Sequence, residues 1–530
     1  MTELQGTSII GFERGVTGLE PFQAVNPVTG AKLAPAYYTV TPSEIERAAF
    51  LAHDAFETYR HTRGKTKGLF LRKIAENIET LGEPLVRRAT EETALTAARI
   101  SAEIFRTCYQ LRLFAEMVEE GSWVDARIDL SDPLRQPSPK PDIRSMLRPL
   151  GPVVVFCASN FPLAFSVAGG DTASALAGGN PVIVKAHHAH PGTAELVGLA
   201  ISDAVRHCEL PAGLFSLLFG AGSKVGPQLM DQQAIRAGGF TGSRAGGQAL
   251  MKMAAAGPDP IPFYAEMSSV NPVFILPDAL REREEQIALE LHGSVTLGAG
   301  QFCTNPGLVF IPADGSAGLI ERLTAKMSST AEFTMLTRDI SRAYCERTSL
   351  LAAHSLVKPL CKAAGVEGAG NCNISAGFFL TDAQSFSANP ELAAEVFGPA
   401  TLLITYSTSG QLPKLARALE GQLTATIHAT ESELRECAQL LQVLETKAGR
   451  IICNGFPTGV EVSHSMVHGG PFPATSDGRS TSVGTRAVLR FVRPVCYQDW
   501  PSSALPDELE NSNPLNIWRL LNGEFTKSAA

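Results

Sequence analysis

The sequence lacks the features that mark membrane, secreted and disulfide-stapled proteins. No apolar run approaches the roughly 20 residues that a membrane-spanning helix needs, and the first residues, Met1 to Gln5, have neither the basic start nor the apolar core of a secretory signal. The 10 cysteines form no CxxC pair and no Cys/His spacing typical of zinc, so we interpret them as reduced thiols. We therefore expect a cytoplasmic protein without a membrane partner and without a metal site.

Basic blocks and internal repeats are also missing. The 45 Lys and Arg residues are interspersed with 53 Asp and Glu residues, for a net charge of −8. This distribution argues against nucleic acid as a partner and favours a small-molecule substrate. His187, His188 and His190 lie close together, but without Cys or carboxylate companions they indicate a solvated or phosphate-facing loop more than a metal site.

Short β-branched runs alternate with helix-length segments over most of the chain. The pattern begins after Arg148 and starts a second cycle near Pro272, and it is typical of βαβ units with parallel sheets. We therefore predict an α/β protein with two parallel-sheet domains, the second of which carries Cys303. The segment Asp129 to Pro141 indicates an irregular or edge-strand excursion, and Ser480 to Phe491 reads as a strand.

Cys303 lies in Gly298-Ala-Gly-Gln-Phe-Cys303-Thr-Asn-Pro-Gly307, a stretch of small residues. Small neighbours let a substrate reach the sulfur, and a thiolate is the form that attacks carbon. Taken alone, a lone cysteine is more often a buried structural residue. The choice between nucleophile and structural thiol depends on its partners.

Three polar residues at strand ends are candidate partners. Asn160 follows the run Val153 to Phe156, where it could cap a helix or donate its amide to an oxyanion. Glu266 stands among apolar residues, and burial would raise its pKa towards that of a general base. Glu395 lies in Glu395-Val-Phe-Gly-Pro399, where a simple loop charge is the plainer interpretation.

Other strand ends suggest a dinucleotide site. Lys185 closes the run Val182 to Lys185 and could reach a ribose or a phosphate. Two glycine-bearing turns could hold a pyrophosphate on their backbone N–H groups, although no G-x-G-x-x-G follows the first strand. The residues concerned are Gly222 and Gly226 in the first turn and Thr241, Gly242 and Ser243 in the second.

The order of these motifs resembles that of the aldehyde dehydrogenase superfamily over roughly residues 20 to 495. The resemblance implies a Rossmann-like cofactor domain at 1–128 and 145–267 and a catalytic domain at 268–479. It also implies a small β element for bridging and oligomerisation at 129–144 and 480–530. A homodimer or homotetramer is the expected assembly.

The resemblance also implies roles for individual residues. Cys303 would attack the aldehyde, the Asn160 amide and the Cys303 N–H would hold the oxyanion, and Glu266 would activate the water that hydrolyses the thioester. Lys185 and Glu395 would bind the two riboses. Phe397 would lie against the nicotinamide, and Gly242 and Ser243 would open the helix that faces the pyrophosphate.

Some positions depart from the commonest pattern of the family. Ser159 replaces a Trp, and Met267-Ser-Ser-Val270 replaces Leu-Gly-Gly-Lys. His188 stands where NAD-preferring members carry a Glu that grips the adenosine ribose. A carboxylate there would repel a 2′-phosphate, whereas a histidine can donate to one. We therefore predict that NADP is preferred and that NAD remains possible.

The segment after Gly469 is similar to a branch that contains 2-oxoglutarate semialdehyde dehydrogenases and a bacterial long-chain aldehyde dehydrogenase. A 2-oxoglutarate semialdehyde would require an Arg in the substrate tunnel, and Arg106 and Arg112 are the candidates. A fatty aldehyde or another semialdehyde is the alternative, and an apolar tunnel would suit the fatty aldehyde. The candidate tunnel residues are Phe161, Phe165, Phe302 and Phe456.

A cofactor-independent cysteine hydrolase or acyltransferase is the alternative from a different class. That chemistry requires a His to activate the thiol. No His is adjacent to Cys303 in the sequence, and His292 is one of several whose distance the sequence does not give.

Overall fold

Two seven-stranded sheets dominate the computed structural model, which describes residues 4–17, 19–361, 363, 365 and 372–530. In the first sheet five strands run parallel, and a short N-terminal pair joins antiparallel at one edge. The three strands in its centre are buried along their whole length, as expected when helices cover both faces. In spatial order the strands are Phe263–Glu266, Ala237–Thr241, Val153–Phe156, Val182–Lys185, Phe215–Leu218, Ile9–Ile10 and Glu13–Arg14.

The second sheet is parallel except for one antiparallel edge strand, Lys358–Cys361. The predicted α/β architecture with two parallel-sheet units is therefore confirmed. After the edge strand the order is Gly377–Asp382, Ala400–Tyr406, Leu308–Pro312, Val273–Ile275, Gln422–His428 and Ala448–Cys453.

Helices bury the apolar faces of both sheets. The helices that precede or follow strands of the first sheet are Pro42–Tyr59, Gly64–Thr93, Ala97–Glu120, Gly170–Gly178, Pro191–His207, Gly222–Met230 and Arg244–Ala256. Those that accompany the second sheet are Pro277–Thr296, Ala317–Ser329, Arg338–Ala353, Ala383–Ala388, Leu412–Ala418, Glu431–Glu436 and Ala438–Glu445. None of the helices in the described ranges combines the length and the apolar character that crossing a membrane requires.

A third sheet lies apart from the two large ones and contains the C-terminal tail. Its order is Val492–Gln498, Ile143–Pro149, Arg127–Asp129, Arg519–Leu521 and Glu524–Thr526. This third sheet corresponds to the β element predicted from the sequence. Its role in oligomerisation stays a prediction. Two small antiparallel pairs complete the described strands: Pro21–Val25 with Lys32–Tyr38, and Phe333–Thr334 with Asn373–Ile374.

The strand predicted at Ser480 to Phe491 is wrong. Thr485–Phe491 forms a 3₁₀ helix, and the strand begins only at Val492. Ala487, Val488 and Phe491 are buried together in the core around the first sheet, so their apolar spacing serves a helical turn instead of an alternating strand. The excursion predicted between Asp129 and Pro141 is confirmed. Asp129 ends the strand Arg127–Asp129 and pairs with Ile143, and beyond it the described chain up to Pro141 forms only an isolated bridge between Asp132 and Lys140.

Glu92 ties the second helix to the start of the helix Pro191–His207. Its carboxylate accepts hydrogen bonds from the backbone N–H groups of Gly192 and Thr193 at 2.8 and 2.9 Å. Arg88 Nε donates to the same carboxylate at 2.9 Å, and Glu92 is fully buried. A carboxylate at a helix N-terminus pairs N–H groups that have no partner inside the helix.

Replacing this carboxylate should destabilise the protein strongly. We expect Glu92→Ala to lower the free energy of unfolding by about 3 kcal/mol, because it leaves buried N–H groups and the Arg88 charge without their partner. Denaturant unfolding at a fixed protein concentration measures the change. Glu83→Ala, at an exposed position of the same helix, is the control and should stay within about 0.5 kcal/mol of the parent. Equal losses in the two variants would contradict this role.

Candidate active site

The candidate active site forms where the first sheet ends and the loop around Cys303 begins. Glu266 is the last residue of the edge strand Phe263–Glu266. Residues 474–476 lie beside that strand: Met267 N donates to Ala474 O at 2.8 Å, and Ser476 N donates to Ala265 O at 2.9 Å. This pairing brings the chain after residue 467 to the carboxylate of Glu266.

His468 is the centre of the site. Its Nε2 lies 3.0 Å from Glu266 Oε1 and 3.5 Å from Cys303 Sγ. Ser482 Oγ donates to the other carboxylate oxygen of Glu266 at 3.0 Å. The side chains of His468 and Glu266 are 1% and 3% exposed, so these hydrogen bonds form away from water.

Sequence reasoning missed His468. It is 165 residues from Cys303 in the chain, and no local spacing links the two. The signal that could have found it is its position directly before Gly469, where the segment that carries the narrower resemblance begins. His292, which sequence reasoning considered instead, bonds to Thr330 Oγ1 at 2.7 Å.

The protonation states of the site follow from burial and from the contacts of Glu266. Burial alone would raise the pKa of Glu266, but the charge and hydrogen bond of His468, together with hydrogen bonds from Ser482 and Cys303, bring that pKa below its ordinary value. Burial and the neighbouring Glu266 raise the pKa of the Cys303 thiol well above its usual range. The resting site therefore holds an ionised Glu266 and a protonated Cys303 beside two groups that can take its proton.

Asn160 lies against the loop that carries Cys303. Its Nδ2 donates to the backbone oxygen of Gln301 at 3.0 Å, and this amide nitrogen keeps a second hydrogen for another acceptor. Glu103 holds the segment that follows Asn160, because Oε1 accepts from the N–H groups of Leu163 and Ala164, both at 2.9 Å. The buried carboxylate thus positions the amide.

The carbonyl of Cys303 is held from the other side. Asn271 Nδ2 donates to Cys303 O at 2.8 Å and to Asn305 O at 2.9 Å. These two bonds fix the backbone at Cys303 and two residues after it, so the thiol has a defined position before any substrate binds.

The residues predicted to bind the adenosine half of a dinucleotide meet at the carboxyl edge of the first sheet. Lys185 is 5% exposed, and among the described residues its Nζ has no ion pair. Burial lowers the pKa of Lys185 to about 8. A Cβ added to Gly222 would lie 3.8 Å from that Nζ, and the helix that begins at Gly222 has no side-chain cap. A buried amine beside free N–H groups fits the ribose and phosphates of a dinucleotide.

The second glycine-bearing turn and the histidine loop lie at the same edge. Ser243 caps the helix Arg244–Ala256 by accepting from Gly246 N at 3.2 Å, directly after Thr241 and Gly242. His188 is exposed in the loop after Lys185 and stacks on His187 at 4.4 Å. Gly226 differs from the others, since a Cβ there would contact Leu250 and Phe156 in the core.

Glu395 and Phe397 line a narrow cavity together with Phe302 and Ser269. Burial raises the pKa of Glu395 to about 7. A nicotinamide ribose offers hydroxyl groups that such a carboxylate can accept from. The cavity adjoins the loop of Cys303 through Phe302, so the positions predicted for the nicotinamide half lie next to the thiol.

The substrate candidates divide into two groups. Phe161 contacts both Phe165 and Phe302 edge to face, with ring centroids 5.2 and 5.3 Å apart. Phe302 directly precedes Cys303, so these rings lie next to the thiol. Phe456 packs instead against His428, with centroids 4.6 Å apart.

Arginines flank the aromatic group. Arg106 lies 5.2 Å from the ring centroid of Phe165, and its Nε donates to Val460 O at 3.3 Å. Its Nη2 is buried without a hydrogen-bond partner among the described residues. Arg99, which sequence reasoning missed, lies between Phe161 and Phe302 at 4.5 and 4.7 Å. Arg112 pairs with Glu79 through two bonds of 2.6 Å and is not brought to this group.

The comparison with protein families matches residues 15–471 to the model described as "Aldehyde dehydrogenase family". The chain belongs to the aldehyde dehydrogenase family. The match includes Asn160, Glu266, Cys303 and His468, so the cluster described above lies within the family's own region. This aldehyde dehydrogenase is an oxidoreductase that acts on an aldehyde.

Two curated relatives cover nearly the whole chain. "Alpha-ketoglutaric semialdehyde dehydrogenase 2" of Azospirillum brasilense is 48% identical over 524 residues, 98% of this chain and 99% of the relative. "Alpha-ketoglutaric semialdehyde dehydrogenase" of Acinetobacter baylyi is 43% identical over 530 residues, 100% of both chains. The resemblance to the narrower branch is therefore confirmed.

Among solved structures, a betaine aldehyde dehydrogenase double mutant of Staphylococcus aureus in complex with NAD⁺ has the same fold. The TM-score is 0.79 at 18% identity, over 94% of this chain and 97% of the other. The similarity in fold confirms the aldehyde-dehydrogenase-like architecture that the motifs predict.

Loss of the His468 imidazole should change the pH dependence of the enzyme. In His468→Ala, Glu266 stays buried but loses the partner that lowers its pKa. That pKa rises, and the acidic limb of the kcat profile moves to higher pH. We also expect kcat/KM to fall by about 10²- to 10⁴-fold, the usual contribution of a positioned acid–base group. Steady-state rates across pH measure both effects.

His464→Ala is the matched control, because His464 is exposed and bonds only to Thr485 among the described residues. Its profile should follow that of the parent enzyme. An acidic limb at the same pH in His468→Ala would contradict the coupling of His468 to Glu266.

Proposed function

We propose that this enzyme oxidises 2-oxoglutarate semialdehyde to 2-oxoglutarate through a thiohemiacetal and a thioester on Cys303. The observation that carries the choice of substrate is the buried, unpaired Nη2 of Arg106 beside Phe165. A buried guanidinium N–H without an acceptor favours a carboxylate ligand. The names of the two curated relatives support the same substrate.

In the first step the Sγ of Cys303 bonds to the aldehyde carbon. The thiol proton passes to His468, whose Nε2 lies 3.5 Å from Cys303 Sγ, so Glu266 stays ionised for the later step. The aldehyde oxygen becomes an oxyanion, which accepts from the free amide hydrogen of Asn160 and from the N–H of Cys303. The thiohemiacetal then loses its carbon-bound hydrogen as a hydride and becomes a thioester. A bound nicotinamide dinucleotide would accept that hydride, and Lys185 and Glu395 would hold the dinucleotide.

In the last step water hydrolyses the thioester. Glu266 takes a proton from the water, and His468 returns a proton to the departing sulfur of Cys303. The products are a carboxylic acid and the restored thiol. Because His468 contacts both Glu266 and Cys303, one imidazole can serve both proton transfers.

A medium- or long-chain fatty aldehyde is the second candidate. It is supported by the edge-to-face rings of Phe161, Phe165 and Phe302, which present an apolar wall. Arg99 lies over two of these rings, so an apolar chain would have to pass a charged group. This proximity favours the anionic semialdehyde.

Replacing Arg106 should distinguish the two candidate substrates. We expect Arg106→Met to lower kcat/KM for 2-oxoglutarate semialdehyde by about 10- to 100-fold, which corresponds to the loss of one hydrogen bond to a charged group. The change should come from a higher KM. For an uncharged aldehyde of similar length kcat/KM should change little. Steady-state kinetics with 2-oxoglutarate semialdehyde, succinate semialdehyde and a long-chain aldehyde measure the difference.

Arg112→Met is the matched control from the same helix. Arg112 pairs with Glu79, so the variant should keep the KM of the parent enzyme. Equal losses for charged and uncharged aldehydes in Arg106→Met would argue against a carboxylate contact. Higher kcat/KM for the long-chain aldehyde in the parent enzyme would favour the second candidate.

The same proposal includes a preference for NADP. It is supported by His188, which is exposed beside Lys185 at the cofactor edge and can donate to a 2′-phosphate. We expect His188→Glu to lower the ratio of kcat/KM with NADP to kcat/KM with NAD by at least about tenfold, because the new carboxylate would repel the phosphate. His464→Glu, at a distant exposed histidine, should leave the ratio unchanged. A parent enzyme with much higher kcat/KM for NAD would overturn the preference.

A further inference from the structure

We propose that Cys303, His468 and Glu266 form a Zn²⁺ site whose occupation reversibly blocks the enzyme. The three side chains offer a sulfur, an imidazole nitrogen and a carboxylate oxygen, all within 4.8 Å of one another. These are the ligand types that Zn²⁺ takes in proteins. The sequence predicted no metal site because the three residues lack metal-binding spacing, and only the fold brings them together.

The two distances that involve His468 Nε2 lie close to those around a tetrahedral ion. Typical Zn–S, Zn–N and Zn–O bonds of about 2.3, 2.05 and 2.1 Å place sulfur and nitrogen roughly 3.6 Å apart, and nitrogen and oxygen roughly 3.4 Å apart. The observed separations are 3.5 Å between Cys303 Sγ and His468 Nε2, and 3.0 Å between that Nε2 and Glu266 Oε1. Nε2 is the shared atom in both contacts. An ion at the centre would therefore require only small side-chain movements.

Three protein ligands leave the fourth position open for water, as in catalytic zinc sites. Here the ion would inhibit instead, because it binds the sulfur that must attack the aldehyde and the two groups that carry out the proton transfers. Binding converts the thiol into a thiolate and releases one proton, so affinity should rise with pH. The site is defined by ligand geometry and does not depend on which aldehyde is the substrate.

The surroundings of His468 indicate a reversible site. Metal-binding histidines usually donate their second nitrogen to a carboxylate or carbonyl, which strengthens the bond. In the described structure His468 Nδ1 is buried without a hydrogen-bond partner. The ring therefore lacks that support, and we expect chelators to remove the ion and restore activity.

The experiment uses the metal-free full-length protein and Co²⁺, whose bond to a thiolate gives a charge-transfer absorption band. We expect one Co²⁺ per chain, the thiolate band, and displacement of Co²⁺ by Zn²⁺. Cys303→Ser should lose the band, and His468→Gln and Glu266→Gln should each weaken binding by about tenfold or more. Cys453→Ser, which removes an exposed thiol, is the matched control and should bind as the parent does.

The proposal is overturned if the band persists in Cys303→Ser, or if His468→Gln and Glu266→Gln bind Co²⁺ as tightly as the parent. The second result would mean that a thiol alone binds the metal. Circular dichroism of each variant separates lost ligands from lost folding, and the conservative Glu266→Gln keeps the size of the side chain. Because metal binding is measured directly, the result stands whether or not 2-oxoglutarate semialdehyde proves to be the substrate.

Discussion

The buried hydrogen bond between His468 and Glu266 holds the active site together. Glu266 belongs to the edge strand of the first sheet, and His468 belongs to a segment that follows the last strand of the second sheet. Each group lowers the cost of burying the other, because an unpaired buried carboxylate or imidazole is costly. Their contact therefore fixes how the late segment of the chain closes over the strand, and it places an imidazole next to the sulfur of Cys303.

Around this contact, side chains that take no direct part in chemistry hold the backbone. Glu103 anchors the segment after Asn160, and Asn271 anchors the carbonyl of Cys303. Each bond is buried or partly buried, where hydrogen bonds are stronger and water competes less. Asn160 and Cys303, the proposed oxyanion donor and nucleophile, therefore have set positions before a substrate binds, which would reduce the entropy lost on reaching the transition state.

The basic groups around the site lie in two places. Arg99 and Arg106 lie among aromatic rings near the thiol, and Lys185 lies at the cofactor edge of the first sheet. A carboxylate in the substrate and the phosphates of a dinucleotide are both anions, so the basic groups suit both ligands. Three acidic groups accompany these basic groups: Glu266 and Glu395, which have separate roles in the proposed chemistry, and Glu103, which pairs with Arg99.

Much of the architecture and part of the site could be predicted from the sequence. Periodic apolar runs such as Val182–Lys185 depend on local spacing and on burial of a central strand, so they indicate the parallel sheets directly. The strand predicted from Ser480 to Phe491 was wrong because the apolar residues there belong to a 3₁₀ helix that packs on the core around the first sheet. Packing of that kind depends on residues far away in the sequence. The motifs of Asn160, Glu266 and Cys303 identify the family because they keep their order along the chain.

The sequence by itself determined the α/β class and the family, because each follows from local pattern or from motif order, and it identified Cys303 as the candidate nucleophile. Only the tertiary structure decided that His468 lies between Cys303 and Glu266, that Arg99 joins Arg106 beside the aromatic rings, and that Arg112 turns away to Glu79. These are contacts between residues far apart in the chain. They arise from how sheets and loops pack, and the sequence around a residue does not show which distant group its side chain will contact.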